Sequence, residues 1–329
     1  MHDGVQTTAI VGASGYSGQE VLDRVLRHPG LEVVALGSDS LAGSPASALD
    51  VRLNGSLPAF VSNDEALGAG ADVVFACLGH ERAALLEAPA DSVVVDLSGA
   101  HRLQDAALYP AWYGFEHPRP ESLDTWSYGL PELTGATGRL VANPGCYATA
   151  ALLALAPLAG AIDPDHVVVD AKSGVSGAGR ELKPSSHAGS VLENVSPYRV
   201  GSHQHAPEIA QALGFPVTFV PHLLPVRRGL LATCDVSPDG DVRSLLEDAY
   251  AGSRVVRVLP EGVAPELSRV QHTDAAELGV FEDRATGRII VVCALDNLGK
   301  GAAGQALQNA NLALGLDETA GLRLTGVLV

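Results

Sequence analysis

Basic side chains are scarce in this chain of 329 residues: 21 lysines and arginines stand against 38 aspartates and glutamates, for a formal net charge of -17. A nucleic-acid-binding surface needs clustered lysine and arginine, so the composition argues against one. A local positive pocket for an anionic ligand is still compatible with it. The chain also lacks internal repeats, low-complexity segments and any apolar run long enough to span a bilayer, since Pro157 interrupts the alanine-rich run after Cys146.

Cysteine is scarce too, with four residues and no CxxC pair, which gives neither a zinc pattern nor a disulfide framework. This usage is typical of a reducing compartment. The residues before the first predicted strand have neither the basic nor the apolar character of a signal segment, so we expect a cytoplasmic protein. Length predicts about two domains. A hydrophobic content of 47% and a charged content of 18% are typical of a soluble globular protein with an ample core.

Cys146 has the clearest chemical setting in the sequence. A strand-like run ends in Asn-Pro-Gly at 143–145, a sharp turn, and a helical run begins at Cys146. The first turn of a helix favours an anion, so the pKa of a thiol there falls and the thiolate becomes a nucleophile. A small buried hydrophobic residue is the alternative. That alternative fits the other three cysteines, which lie inside apolar strand-like runs: Cys77, Cys234 and Cys293.

A glycine loop near the start of the chain predicts nucleotide binding. A strand over 7–11 leads into Gly12, Gly15 and Gly18, and a helix follows. Strand, glycine loop and helix form the layout that places a pyrophosphate on a helix N-terminus. The spacing is GxxGxxG rather than GxGxxG, and a tight structural turn is the alternative.

The second predicted strand, 31–37, ends where a dinucleotide fold contacts the adenosine ribose. Asp39 in that position favours NAD, because an acid bonds the ribose 2′-hydroxyl and repels a 2′-phosphate. The flanking Ser38 and Ser40 suit a phosphate instead. An exposed loop acid without contact to the nucleotide is a third interpretation.

The order of elements predicts the fold class. Strands over 71–78 and 92–97 with a helix between them continue an alternating pattern, which indicates a Rossmann-type, doubly wound parallel sheet. After Cys146 the chain becomes strand-rich and has few helices. It ends with two strands joined by a turn at 286–287 and a final helix. We therefore predict an α/β domain followed by an α+β domain with a mixed or antiparallel sheet.

Two polar segments of the second half indicate chemistry. The loop predicted at 172–180 offers backbone N–H groups, hydroxyls and Arg180 to an anionic substrate, with a flexible linker as the alternative. His203 and His205 precede a helix predicted from residue 207. They resemble a metal pair, but no further cluster completes a site, so no metal is predicted. A histidine near Cys146 could act as an acid/base, with Glu208 orienting or charging the imidazole.

Several stretches, in the same order, together resemble the N-acetyl-gamma-glutamyl-phosphate reductase family over essentially the whole chain. They are 12–18, 96–98, 128–133, 143–147, 173–180, His203 with His205 and Glu208, 221–225 and 297–301. This family is similar in fold to aspartate-semialdehyde dehydrogenase. The resemblance implies a dinucleotide-binding domain at 1–145, a catalytic and dimerisation α+β domain at 146–296, and a C-terminal helix at 297–329 that returns to the first domain. It also implies a homodimer or homotetramer.

The resemblance implies reduction of N-acetyl-gamma-glutamyl phosphate to N-acetylglutamate 5-semialdehyde and phosphate with NADPH, in arginine biosynthesis. Cys146 would attack the acyl phosphate and form a thioester, which hydride reduces. His203 is the predicted acid/base and His205 the alternative, with Glu208 beside them. The implied cofactor-binding residues are Gly12, Ser14, Gly15, Tyr16, Ser17, Gly18, Ser38, Leu78, Ser98, Gly177, Asn297 and Lys300. The implied substrate-binding residues are Arg102, Asn143, Ser173, Arg180 and Arg228.

Three positions depart from the family pattern. Gln204 stands where arginine is common, and His101 stands where an aromatic residue is common. Asp39 makes a preference for NADP over NAD less secure. Two other functions stay open: the same chemistry on an N-acetyl-aminoadipyl phosphate or a carrier-linked substrate, and a nucleotide-sensing protein without catalysis. The acidic composition disfavours docking of an acidic carrier, and a sensor need not keep Cys146, His203 and Glu208.

Overall fold

The computed structural model describes residues 4–53, 55, 57–135, 138–181, 184 and 187–326. The chain divides into two compact units. One consists of Met1–Pro144 and Ala302–Leu322, and the other consists of Gly145–Gly301 and Arg323–Val329. Among the described residues, no helix combines the length and the apolar character that crossing a bilayer requires.

The described residues form fourteen strands and eleven α-helices, numbered here in chain order. The strands are β1 (Gln6–Val11), β2 (Leu31–Gly37), β3 (Phe60–Val61), β4 (Val73–Ala76), β5 (Val93–Asp96), β6 (Ser127–Tyr128), β7 (Leu140–Ala142), β8 (Val168–Gly174), β9 (Ser196–Pro197), β10 (Thr218–Leu224), β11 (Leu230–Val236), β12 (Val256–Val258), β13 (Ala276–Glu282) and β14 (Ile289–Leu295). The helices are α1 (Tyr16–Val25), α2 (Asn63–Leu67), α3 (His80–Ala84), α4 (Tyr109–Trp112), α5 (Pro131–Thr134), α6 (Cys146–Leu155), α7 (Ala188–Val191), α8 (His205–Leu213), α9 (Val242–Ala249), α10 (Leu267–Val270) and α11 (Gly304–Ala313).

The first unit is built on a parallel sheet with the strand order β3-β2-β1-β4-β5-β7-β6. The central strands are apolar and buried on both sides, as helices on both faces of a parallel sheet require. One core contains Ile10 and Phe75 with Leu22 of α1 and Leu307 of α11. A second core contains Val74 with Ala66 of α2. The predicted doubly wound sheet is confirmed.

The second unit is built on a mixed sheet with the strand order β12-β13-β14-β11-β8-β10-β9, in which only the pairs β12–β13 and β8–β10 are parallel. Alternate residues of its central strands are fully buried, among them Ala171, Cys234 and Cys293. The apolar helix α6 packs on β11 and β14. The predicted α+β domain with a mixed sheet is confirmed.

Some element bounds differ from the predictions. β8 continues through Gly174, past the predicted end at 171, because its residues go on pairing with β10 and β11. Helix α8 begins at His205 rather than at residue 207. From Arg323 onward the chain belongs to the second unit, where Arg323 exchanges two hydrogen bonds with Asp274. The division drawn from the sequence placed these residues with the first domain.

Candidate active site

Cys146 is the first residue of the ten-residue helix α6, and Gly145 is the N-cap residue. The N–H groups of a first helical turn have no intrahelical partner and, with the helix dipole, favour negative charge. Cys146 is half-buried. Glycine at 301 allows close approach here, because a Cβ atom on Gly301 would lie 2.8 Å from the Cβ atom of Cys146. Cys146 therefore lies in the first turn of a helix, the position in which the sequence predicts it.

His205 and Glu208 of α8 hold the turn that precedes Cys146. The backbone N–H of Gly145 donates to Oε1 of the fully buried Glu208 at 2.8 Å. The imidazole of His205 lies directly on Gly145: a Cβ atom there would be 2.2 Å from Nε2. Only glycine fits between the turn and the ring. The ring of His205 is thus adjacent to the residue that precedes the thiol.

His203 lies behind His205 in an aromatic cage. Its ring centroid is 5.6 Å from that of Tyr147, 5.5 Å from that of Tyr198 and 5.3 Å from that of Phe219. Nδ1 of His203 accepts the backbone N–H of His205 at 3.1 Å. Burial, helped by the charges of His205 and Arg199, lowers the pKa of His203 from 6.5 to about 2. His203 is therefore a neutral ring that positions the start of α8.

We expect His203 to reduce stability as the pH falls. Its folded pKa lies below the unfolded value of about 6.5, so between about pH 2 and 6.5 the unfolded chain binds a proton that the folded chain does not. The free energy of unfolding then falls by about 1.4 kcal/mol per pH unit below 6.5 on account of this group. Urea titrations from pH 7 to 5 should show a shallower loss for His203→Gln than for wild type. His187→Gln, at an exposed ring, is the control and should keep the wild-type slope. An unchanged slope in His203→Gln would contradict the buried neutral ring.

Two tyrosines extend the polar network beside Cys146. The hydroxyl of Tyr147 donates to the carbonyl of His222 at 3.0 Å, and the hydroxyl of Tyr198 donates to that of Tyr147 at 3.3 Å. Burial raises the pKa of Tyr198 to about 12 and that of Tyr147 further, and the neighbouring Cys146 adds to both shifts. Both phenols therefore stay protonated and can donate hydrogen bonds. Tyr198 had no signal in the sequence.

In the first unit, the glycine loop has the close approaches that a dinucleotide site needs. Gly12 has φ +81°, and a Cβ atom on it would lie 2.3 Å from the carbonyl oxygen of Cys77. A Cβ atom on Gly18 would lie 2.4 Å from the carbonyl oxygen of Gly12. The ten-residue helix α1 starts after Gly15, which makes no side-chain cap. The strand, glycine loop and helix thus follow one another in the layout that places a phosphate on a helix N-terminus.

The polar side chains that follow β2 have different hydrogen-bond partners. The hydroxyl of the buried Ser38 donates to Ser14 at 2.8 Å and lies 3.3 Å from that of Ser40. Asp39 instead accepts the backbone N–H of Asn63 at 2.9 Å and its side-chain Nδ2 at 2.8 Å. These two bonds lower the pKa of Asp39. A cluster of three hydroxyls, Ser14 with Ser38 and Ser40, fits a phosphate group.

Comparison with known proteins agrees with this arrangement. A family model described as the semialdehyde dehydrogenase NAD binding domain matches residues 7–139, and one described as the semialdehyde dehydrogenase dimerisation domain matches 146–297. N-acetyl-gamma-glutamyl-phosphate reductase from Acidothermus cellulolyticus is 46% identical over 97% of this chain and 98% of the relative. The corresponding enzyme from Salinispora arenicola is 47% identical with the same coverage. The chain belongs to the N-acetyl-gamma-glutamyl-phosphate reductase family.

Solved structures support the fold of this family member. The crystal structure of aspartate semialdehyde dehydrogenase II from Vibrio cholerae, complexed with ASA, matches with a TM-score of 0.73 at 18% identity. The match covers 94% of this chain and 98% of the Vibrio cholerae chain. The likeness in fold that was inferred from the sequence is therefore found in three dimensions.

The predicted substrate residues of this reductase family member occupy varied positions. The buried guanidinium of Arg228 donates from Nε and Nη2 to Asp296, at 2.9 and 3.1 Å, so much of its hydrogen-bonding capacity serves the fold. Arg102 donates to the carbonyls of Asn143 and Leu97. The Asn143 amide bonds Ala302 and Asn309. Ser173 is buried in β8, whereas Arg180 is exposed at the end of the following turn.

The predicted cofactor residues outside the glycine loop also have structural partners. Ser98 donates its hydroxyl to Asp96 at 2.8 Å. Asn297 accepts the N–H of Gly229 and donates to Ser176. At the start of α1, Tyr16 is exposed and Ser17 is half-buried. Leu78 is half-buried after β4. Gly177 is exposed, and Lys300 is fully buried.

Proposed function

We propose that this protein reduces N-acetyl-gamma-glutamyl phosphate to N-acetylglutamate 5-semialdehyde and phosphate with NADPH, in arginine biosynthesis. The observation that carries the proposal is the turn at Gly145: a cysteine opens a helix there, a histidine ring lies on the turn, and a buried carboxylate binds its N–H. Relatives with 46% and 47% identity over nearly the whole chain bear the name of this reductase.

The chemistry follows from the position of Cys146. Its thiolate attacks the acyl carbonyl, the C–O bond to phosphate breaks, and phosphate leaves with the bonding electrons, so that a thioester joins the acyl group to Sγ. NADPH, when bound, supplies the hydride that reduces the thioester carbon. The resulting hemithioacetal oxygen takes a proton, and the C–S bond breaks when that proton is removed again. The semialdehyde leaves and Cys146 returns as the thiolate.

We assign the acid/base role to His205 in place of His203. The ring of His205 lies against the turn that carries the thiol, whereas the ring of His203 is caged by aromatic side chains. A base with a pKa of about 2 takes up a proton poorly near neutral pH. Glu208 acts as a positioning residue, because its carboxylate holds the backbone N–H of Gly145 in the turn before Cys146. Its negative charge also lies near this turn.

NADPH fits the described residues of the first unit. The N-terminus of α1 and the glycines at 12 and 18 suit the pyrophosphate. The three hydroxyls of the serine cluster suit a 2′-phosphate, and the carboxylate of Asp39 is engaged by Asn63. We propose that 1–144 together with 302–322 form the dinucleotide-binding domain and that 145–301 form the catalytic domain. The reaction needs a reduced thiol, and no disulfide joins any of the four cysteines, which suits the cytoplasm.

The substrate assignment has a direct test. Wild-type enzyme is assayed in the oxidative direction with NADP, phosphate and N-acetylglutamate semialdehyde, beside the aminoadipate homologue. One methylene in a pocket changes kcat/KM by about 10–200-fold, so the glutamate compound should be favoured by that margin. A preference for the aminoadipate homologue would show that the longer compound is the substrate. Absence of turnover with both compounds would contradict the proposal.

We also propose that the enzyme is a homodimer or homotetramer that associates through one face of the second sheet. This face is opposite the one that carries the fully buried Ala232 and Cys234. It has half-buried apolar residues: Val220, Leu224, Leu231, Ile290 and Val292. A second copy of the sheet would bury them. The matching family model is described as a dimerisation domain.

Val292→Lys is expected to reduce the mass of the assembly in solution, because a charge would be buried where the two faces meet. Light scattering after size-exclusion chromatography measures it. Leu26→Lys is the control: this leucine is 49% exposed in the first unit, and its variant should keep the wild-type mass. Equal masses for Val292→Lys and wild type would show that the face is not the interface.

A further inference from the structure

Asp39 is held by a neighbouring polar residue at the end of β2. Both of its carboxylate oxygens accept hydrogen bonds from one residue, Asn63, the first residue of α2. Asn63 is 8% exposed, and both ends of its side-chain amide are hydrogen-bonded within the protein. Arg82 adds a positive charge near Asp39 while pairing with Asp64. The carboxylate is thus hydrogen-bonded from the α2 side and held in its ionised form.

Asn63 also joins this carboxylate to the glycine loop. Its Oδ1 accepts the backbone N–H of Gly12 at 2.9 Å, so the two ends of one amide bind Gly12 and Asp39. A Cβ atom on Gly37 would lie 3.0 Å from the same Oδ1, so the amide fits closely against the end of β2. The neighbouring Ser38 makes its hydrogen bonds to Ser14 and Ser40 instead. The acid and the hydroxyls that follow β2 are therefore committed to different partners.

We propose that Asn63 is a positioning residue for nucleotide preference, which holds the carboxylate of Asp39 away from the ribose so that the hydroxyls of Ser14, Ser38 and Ser40 receive the 2′-phosphate of NADPH. The inference rests on the proposed NADPH-dependent function. An acid free to approach the ribose would bond its 2′-hydroxyl and repel a 2′-phosphate. The sequence position of Asp39 favours NAD, but with its carboxylate held by Asn63 the site accepts NADP.

The test is a double-mutant cycle on nucleotide binding. Dissociation constants of NADPH and NADH are measured by fluorescence for wild type, Asn63→Ala, Asp39→Asn and the double variant, with melting temperatures beside them. Asn63→Ala should lower the preference for NADPH over NADH about tenfold, which corresponds to about 1.4 kcal/mol. Asp39→Asn alone should leave the preference near the wild-type value, and the double variant should restore it. Asn63→Ala also removes the oxygen that accepts the N–H of Gly12. This loss should change the affinities for NADPH and NADH equally, so it cancels in the ratio of the two dissociation constants.

A second variant keeps the test sharp if Asn63→Ala fails to fold. Asp39→Glu leaves Asn63 and its bond to Gly12 in place but lengthens the acidic side chain by one methylene, which shifts the carboxylate from the position where the two N–H groups of Asn63 bind it. It should also lower the preference for NADPH. An unchanged preference in both variants, or a deficit in Asn63→Ala that the second substitution does not restore, would overturn the inference alone. A wild-type protein that binds NADH as tightly as NADPH would overturn the proposed cofactor and the inference together.

Discussion

Cys146→Ser is expected to fold like wild type and to lose nearly all turnover. Serine occupies nearly the same volume, so the close approach of Gly301 and the turn at Gly145 are preserved. Its hydroxyl stays protonated where a thiol ionises, so it cannot form the thioester at a useful rate. The loss of turnover should be roughly 10⁴–10⁶-fold, as is found when an attacking group is removed. Steady-state assays with circular dichroism and melting temperature measure both parts.

The buried cysteines provide matched controls for this result. Cys234 and Cys293 face the core from β11 and β14, and burial raises the pKa of Cys234 to about 12 and that of Cys293 well above its usual range. Alanine at either position should reduce stability through lost packing and leave turnover within about threefold of wild type. Substantial activity in Cys146→Ala, or an equal loss in Cys293→Ala, would exclude a covalent role specific to Cys146.

His205→Asn should give the second-largest loss. General acid/base catalysis contributes about 10²–10⁴-fold, and kcat should fall by that order while nucleotide affinity stays nearly unchanged. Alkylation of Cys146 at neutral pH should also slow, because an imidazolium beside the turn favours the thiolate. His203→Asn should give a smaller loss through displacement of α8. Alkylation rates against pH for both variants decide between the two rings.

Two further variants separate chemistry from position. Glu208→Gln keeps an acceptor for the N–H of Gly145 and should cost little activity beyond the loss of its charge. Gly145→Ala keeps every catalytic group but places a Cβ atom 2.2 Å from the present position of Nε2 of His205, so the ring must move and turnover must fall. If His203→Asn, rather than His205→Asn, abolished the fast alkylation, His203 would be the acid/base.

The fold was readable from the sequence because its signals are local. β1, the glycine loop and α1 follow one another within twenty residues, and the turn at 143–145 places Cys146 at a helix start without any distant contact. The two sheets follow from strand spacing in the same way. The two-residue strand β6 was missed, since so short an element has no periodicity and exists only through its pairing with β7.

The side-chain partners were not readable, because they depend on residues far apart in the chain. Arg228 was expected at the substrate, but Asp296, 68 residues later, takes its guanidinium. The choice between His203 and His205 depends on which ring reaches Gly145, about 60 residues away. Asp39 was predicted to contact the ribose, but its carboxylate accepts hydrogen bonds from Asn63, which lies 24 residues later in the chain. The roles assigned to individual site residues remain predictions for the variants described above.

The central claim, a covalent acyl intermediate on Cys146, has one direct measurement. Enzyme is mixed with N-acetylglutamate semialdehyde and NADP in the absence of phosphate, and NADPH formation is followed by stopped flow. The account predicts a rapid burst of about one NADPH per chain, followed by near arrest until phosphate cleaves the thioester, together with an acyl group on the Cys146 peptide by mass spectrometry. Absence of a burst and of the adduct, with NADPH formed only when phosphate is present, would contradict it.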